Sequence, residues 1–275
     1  MTESPEGVWL VPDRPRAAML VLSGSSGRVP TERLRFLAAH GIAVLAPHWF
    51  GGPGQPPGIC ELPLESFLPM LDRLADISPK LGVLGLSKGA EAALLLAATE
   101  PRIDVVAALA PTHVVWANVG AGLDGRDRPM RSSWTVAGES VPFVPYDNDW
   151  SPETGARPIA YRGMYAQSLR TFADQVPDAT IPVERIKGQL LLAAGEDDQL
   201  WPSAVFAEHI VRRRIEHGLH TTLLTHPRAG HRPILPGEGV VTGGTPLARG
   251  GTPEADAELG AALWSELCAA LELDT

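Results

Sequence analysis

The chain has 275 residues, 44% of them apolar, and a mean hydropathy of +0.01, which is enough for a sizeable core with no lipid-facing surplus. A formal net charge of −9, a pI of about 5.4 and the lack of any lysine- or arginine-rich run exclude nucleic acid and anionic membrane surfaces as expected partners. No apolar run reaches the roughly eighteen residues of a spanning helix, so no membrane is implied either.

Residues 1–12 carry Glu3 and Glu6 and lack a basic block followed by an apolar one, so no secretory signal is expected. Residues 8–11 and 17–22 read as strands, separated by a turn at Pro12-Asp13-Arg14-Pro15. The second strand runs into the small-residue loop Ser23-Gly24-Ser25-Ser26-Gly27. An amphipathic helix over residues 31–40 follows, with Leu34, Leu37 and Ala38 inward, and Gly41 ends it. Residues 42–46 form a buried strand closed by Pro47. Residues 48–61 are dense in glycine and proline and read as a surface loop.

Ser66 is expected to cap the next helix, whose inner face carries Phe67, Met70, Leu71 and Leu74; Pro69 is tolerated in its first turn. Further strands are expected at 81–86, 103–109, 189–194 and 221–224, with helices near 159–173, over 202–216 and over 253–271. Residues 110–156 break this alternation. They mix Trp116, Trp134, Phe143, Tyr146 and Trp150 with glycines, prolines and charges, a composition that argues against disorder and for a lid or substrate-binding insertion, extended to about residue 160 by the helix that follows. Alternating strands and helices predict an α/β fold: one domain, 1–275, with a mostly parallel, doubly wound sheet covered on both faces.

The stretch that organises the chain is Gly85-Leu86-Ser87-Lys88-Gly89. An apolar strand leads in and an alanine- and leucine-rich helix leads out, which makes Gly-x-Ser-x-Gly a nucleophile elbow. Glycines flank the serine because strand and helix approach too closely there for a Cβ, and Ser87 at the apex should be strained. The plainer alternative is a glycine-containing loop with an ordinary N-cap serine.

A serine hydroxyl needs a base to take its proton and a third group to orient that base. Elbow enzymes supply them in the order serine, acid, histidine, each from a loop after a later strand. His231, in Ala229-Gly230-His231, is the expected base. His226 belongs to the end of a strand, and the other histidines stand outside the order. Asp198 is the expected acid with its neighbour Asp197 as fallback, since two adjacent carboxylates cannot both face one imidazole. The N–H groups of Lys88 and of Ser25 or Ser26 are expected to form an oxyanion hole. Ser26, His113, Trp116, Trp134 and Trp201 are candidates to line the substrate pocket. No metal or organic cofactor is implied. Cys60 and Cys268 have no metal-type spacing and read as free thiols in a reducing compartment, by default the cytoplasm.

On these residues the chain resembles the α/β-hydrolase superfamily. More narrowly it is similar to the C-terminal catalytic domain of acyl-CoA thioesterases and bile acid-CoA:amino acid N-acyltransferase. The likeness rests on Gly85-Leu86-Ser87-Lys88-Gly89-Ala90-Glu91, Ala194-Gly195-Glu196-Asp197-Asp198, Ala229-Gly230-His231, and the pairs Gly243-Gly244-Thr245-Pro246 and Gly250-Gly251-Thr252-Pro253. It implies triad roles for Ser87, Asp198 and His231, a fourth-position acid in Gly-Glu-x-Asp, and small acyl thioester or ester substrates. Eukaryotic relatives carry a β-sandwich domain ahead of this one, and nothing comparable precedes Leu20, so a stand-alone form is expected. The conjugating relatives use cysteine at the elbow; serine here favours transfer to water. Two alternatives stay open: an acyltransferase that uses an amine or alcohol acceptor, and a non-catalytic binding protein on the same fold.

Overall fold

Short apolar runs bounded by turn residues become strands where both faces can be covered. The computed structural model describes residues 2–4, 6–127, 130–155, 157–241 and 245–273. Met1, Ala156, Gly243 and Gly244, which enter the expectations above, lie outside the described residues. The first strands are β1 (Thr2–Ser4), β2 (Gly7–Leu10), β3 (Ala17–Leu22), β4 (Ile42–Pro47) and the short β5 (Leu62–Pro63). Then come β6 (Leu81–Leu86), β7 (Val105–Leu109), the short β8 (Trp134–Val136) and β9 (Glu139–Ser140), β10 (Gln189–Gly195) and β11 (Thr222–His226). The helices are α1 (Thr31–Ala39), α2 (Leu68–Ala75), α3 (Lys88–Thr99), α4 (Arg162–Thr171), α5 (Val176–Ala179), α6 (Ser203–Glu216) and α7 (Pro253–Ala270).

Eight strands form one sheet in the order β1-β2-β4-β3-β6-β7-β10-β11. The six from β4 to β11 are parallel to their neighbours, and β1 and β2 close one edge antiparallel. The period of two along each strand divides the core. Ala18, Leu20, Leu22, Val83, Val106, Ala108 and Leu192 pack with residues of α2, α3 and α6. Their alternates Met19, Val21, Leu84, Ala107, Leu109 and Leu191 pack with α1 and α7. This is the doubly wound sheet predicted from the alternation, flanked by helices on both faces.

Two local expectations change. Ser66 does not cap α2: it sits in a 3₁₀ turn, Leu64–Phe67, and its hydroxyl donates to the Pro63 carbonyl at 2.7 Å, so the helix starts at Leu68 with Pro69 in its first turn. Residues 2–4, to which no element was assigned from the sequence, pair with β2 as an edge strand. Residues 110–155 are irregular as expected but not detached. Their short β8 pairs with β5 and β9, and bridges tie Trp116 to Val144 and Ala117 to Ser132. No helix among the described residues is long and apolar enough to cross a membrane.

Candidate active site

The chain runs from β3 to β4 on one side, returns to β6 beside β3, and then continues to β7, β10 and β11 on the other side. Loops leaving β3 and β6 therefore diverge at the point where the strand order reverses, the position on the C-terminal edge at which sheets of this kind bind ligands. The loops after β10 and β11 emerge at the same edge because these strands are parallel to β6 and β7. Ser87, Asp198 and His231 are the side chains these loops carry there.

β6 passes to α3 through Ser87 at φ 58° and ψ −119°. A non-glycine residue in such a conformation costs on the order of 1–3 kcal/mol and persists only where its surroundings hold it. Here its N–H donates to the Leu109 carbonyl at 2.9 Å, and its own carbonyl accepts from Ala90 and Glu91. A Cβ on Gly85 would overlap the Gly89 carbonyl, and one on Gly89 would overlap the carbonyls of Leu22 and Ser23. Both glycines are therefore steric requirements of the elbow, as the motif predicted.

The loop after β3 stands over the serine. A Cβ built on Gly24 would lie 3.4 Å from Ser87 Cβ and 4.0 Å from its Oγ. Ser25 and Ser26 are exposed on this loop, and the Ser26 hydroxyl accepts from the Arg28 N–H at 3.4 Å. Neither the Ser25 nor the Lys88 N–H donates to a protein acceptor among the described residues.

The two adjacent carboxylates separate cleanly. Asp198 is wholly buried; its Oδ2 meets His231 Nδ1 at 2.8 Å, and its Oδ1 accepts from Leu200 and Trp201 N–H. Asp197 instead braces loops, accepting from Gln199 Nε2 and from Gly251 N–H, both at 2.8 Å. His231 is held by its backbone, which donates to the Arg249 carbonyl at 2.9 Å, and Gly230 before it donates to Asp256 Oδ1 at 2.7 Å. His231 Nε2 is buried and has no hydrogen-bond partner among the described residues, Ser87 included.

Sequence reasoning assigned Glu91 to the family motif but gave neither its side chain nor that of Lys88 a role. Both are buried, and Lys88 Nζ sits 2.9 Å from both Glu91 oxygens and 2.8 Å from Ser133 Oγ. Glu91 also accepts from Trp134 Nε1 at 2.8 Å and Trp116 N–H at 3.3 Å. Burial pushes the Lys88 pKa down and that of Glu91 up, and the mutual attraction of the pair opposes both shifts. The signal available in the sequence was two opposite charges at i and i+3 on a helix otherwise made almost wholly of alanine and leucine.

Three residues expected to line the substrate pocket are built into the interior instead. Trp134 is fully buried, stacked on Trp49 at 5.6 Å with its N–H taken by Glu91. Trp49 in turn donates to Ser23 Oγ at 3.1 Å, so one chain of contacts joins the loop after β3 to the first turn of α3. Trp116 is also fully buried and donates to Thr112 Oγ1. His113 lines a cavity of about 220 Å³ with His209, Ile181 and Arg212, which does not reach Ser87. Trp201 does reach the site, its ring edge-on to His231 at 5.5 Å.

Burial, with the nearby charges of His209 and Arg212, lowers the His113 pKa from 6.5 to about 3. Between those values the unfolded chain binds the proton and the folded chain does not, so this site loses stability as pH falls below 6.5. At pH 5 the loss is about 2 kcal/mol. The difference in unfolding free energy between pH 7 and pH 5, measured in urea, should shrink by about that amount in His113→Asn.

Comparison with known proteins agrees with this architecture. The family described as BAAT / Acyl-CoA thioester hydrolase C terminal matches residues 65–272. Mouse acyl-coenzyme A thioesterase 6 is 28% identical over 246 residues, 83% of this chain and 54% of its own length. Rat acyl-coenzyme A amino acid N-acyltransferase 2 is 26% identical over 274 residues, 92% of this chain and 59% of its own length. The chain thus spans little more than half the length of these curated relatives. Among solved structures, a Mycobacterium tuberculosis puromycin-hydrolyzing peptidase superposes with a TM-score of 0.58 at 14% identity, over 95% of this chain and 35% of that one. Est1E from Butyrivibrio proteoclasticus superposes with a TM-score of 0.50 at 16% identity, over 82% of this chain and 86% of that one. The fold is that of the α/β-hydrolases, and the chain belongs to the BAAT / acyl-CoA thioester hydrolase C-terminal family.

Proposed function

We propose that the chain is a serine hydrolase of acyl thioesters of the CoA type, working through an acyl-enzyme on Ser87. The observation that carries this reading is the 2.8 Å contact of Asp198 with His231 Nδ1 while Nε2 is left unpaired. A buried carboxylate accepting from Nδ1–H fixes the tautomer in which Nε2 has a free lone pair. Nε2 takes the Ser87 proton as Oγ attacks the acyl carbonyl, the N–H groups of Lys88 and Ser25 receive the developing oxyanion, and the imidazolium then protonates the leaving thiolate. Water activated by the same nitrogen releases the acid. Such bonds from serine to base commonly tighten only once substrate is bound.

Support for the reaction class comes from relatives named as acyl-coenzyme A thioesterases. In this reading residues 110–160 select the acyl group and Trp201 closes the site beside the imidazole. The compartment is a reducing one, in keeping with Cys60 and Cys268 being buried and unpaired. The test is thiol release from acyl-CoA substrates by the purified chain, together with labelling by a serine-reactive phosphonate. No turnover and no label on Ser87 would sink it.

The two carboxylates give a sharper check. Asp198→Asn should lower kcat on the order of 10³–10⁴-fold by losing the tautomer. Asp197→Asn should keep kcat within a few-fold and cost about 1 kcal/mol of stability, since it removes only loop bonds. A second reading, transfer of the acyl group to an amino acid, is favoured by the likeness to the rat N-acyltransferase. Product analysis with and without amino acid acceptors separates the two.

A further inference from the structure

The half-buried arginines of this protein have carbonyl or carboxylate partners, with one departure. Arg33 pairs with Glu238 and Arg213 with Glu184. Arg214 donates to the carbonyls of Val183, Ile186 and His220, and Arg162 to those of Glu196 and Asp198. Arg232, half-buried and next in sequence to His231, makes no hydrogen bond or ion pair among the described residues. A guanidinium drawn out of water without a partner is costly, so its position calls for an anion.

Two more guanidiniums stand on the loops that frame the site. Arg249 supplies the carbonyl that holds the His231 N–H, and its side chain reaches only the carbonyls of Thr245 and Leu247 on its own loop. Arg28 follows the loop that lies against Ser87, its N–H bonded to Ser26 Oγ. The three are close enough to repel one another: burial, then Arg249 and Arg28, pull Arg232 down to about 10, and Arg28 adds to the burial that lowers Arg249. No carboxylate opposes these shifts. A chain with a net charge of −9 thus carries three positive charges on the loops that hold Ser87 and His231, and leaves Arg232 and Arg249 without acidic partners among the described residues.

We propose that Arg28, Arg232 and Arg249 form a binding site for the phosphates of the CoA leaving group, which seats the thioester with its acyl carbonyl at Ser87. This rests on the thioesterase reading above and names what that reading leaves open, the part of the substrate that is recognised. The pyrophosphate and ribose phosphate of CoA present several charged oxygens for planar guanidinium forks. The single phosphodiester of a carrier-protein arm would leave most of the cluster unused.

Two measurements test it on the full chain. The first compares kcat/KM for an acyl-CoA with that for the same acyl group on pantetheine, which has no phosphate. In Arg232→Gln and in the double variant with Arg249→Gln, the ratio of the two should fall by about tenfold and by about a hundredfold, at the usual strength of charge-assisted bonds. The second is calorimetric binding of free CoA and of free pantetheine, which needs no catalysis. CoA should bind the wild type at least tenfold more tightly, with an advantage that shrinks with salt and is lost in the double variant. Equal binding of the two compounds, or a ratio unmoved by either variant, would overturn the site. A carrier-protein thioester turned over in preference to acyl-CoA would do the same. Failure of turnover with retained CoA preference would sink the hydrolase reading alone.

Discussion

Ser87→Ala is expected to lower kcat for acyl thioesters by about 10⁴-fold or more while leaving the protein folded. The size follows from the triad acting as a unit: without the nucleophile, the imidazole, its carboxylate and the oxyanion donors have no covalent step to assist. Stability should hardly move, because alanine meets the same penalty at φ 58° that serine does, and the Ser87 hydroxyl is not the group that holds the turn. Its backbone bonds to Leu109, Ala90 and Glu91 survive the substitution. Ser87→Gly adds a second arm. Glycine adopts positive φ without strain, so this variant should be as inactive as the alanine one yet more stable by about 1 kcal/mol. Steady-state kinetics and urea titration of the three proteins check both statements. An alanine variant that keeps more than a hundredth of wild-type turnover would show that the serine is not the attacking group.

Glu91→Ala is expected to be the most destabilising single change in the neighbourhood of the site, by about 3–5 kcal/mol. Removing this carboxylate strands the buried Lys88 ammonium, and it deprives the Trp134 and Trp116 N–H groups of their acceptor. Domains of this kind hold only about 5–15 kcal/mol in total, so the loss is a large share. Pairing it with Lys88→Met should restore part of the stability by removing the uncompensated charge, but not all of it, because the two N–H groups remain unsatisfied. Equilibrium urea unfolding of the wild type, both single variants and the double closes this cycle. A loss under about 1 kcal/mol for Glu91→Ala would mean the lysine finds water in its place. Trp134 stacks on Trp49, and Trp49 donates to Ser23, so the same variant should also disturb the loop that stands over Ser87 and raise KM in whatever protein remains folded.

Much of the fold was open to reading from the amino-acid order. The buried strands announced themselves as short apolar runs, and the long helices as periodic segments with glycine or proline at their ends. The elbow was legible for a steric reason confined to five residues: where strand and helix cross, Gly85 and Gly89 have no room for a Cβ. The edge strand β1 and the 3₁₀ turn before α2 were not legible, because a three-residue pairing and a hydroxyl bonding back to Pro63 leave no periodic trace.

The sequence by itself determined the doubly wound sheet, the sharp turn at Ser87 and the order in which a serine, an acid and a histidine arrive at one sheet edge. These depend on side-chain period, turn sterics and strand direction, which are expressed over a few neighbouring residues. The sequence favoured Asp198 over Asp197 as the partner of His231 and left Asp197 open as a fallback; tertiary structure alone decided that Lys88 turns its amine inward to Glu91, and that Trp116, Trp134 and His113 belong to the interior. His231 meets Asp198 across 33 positions, Lys88 meets Ser133 across 45 and Trp134 meets Glu91 across 43, and a local pattern carries no information about partners so far away.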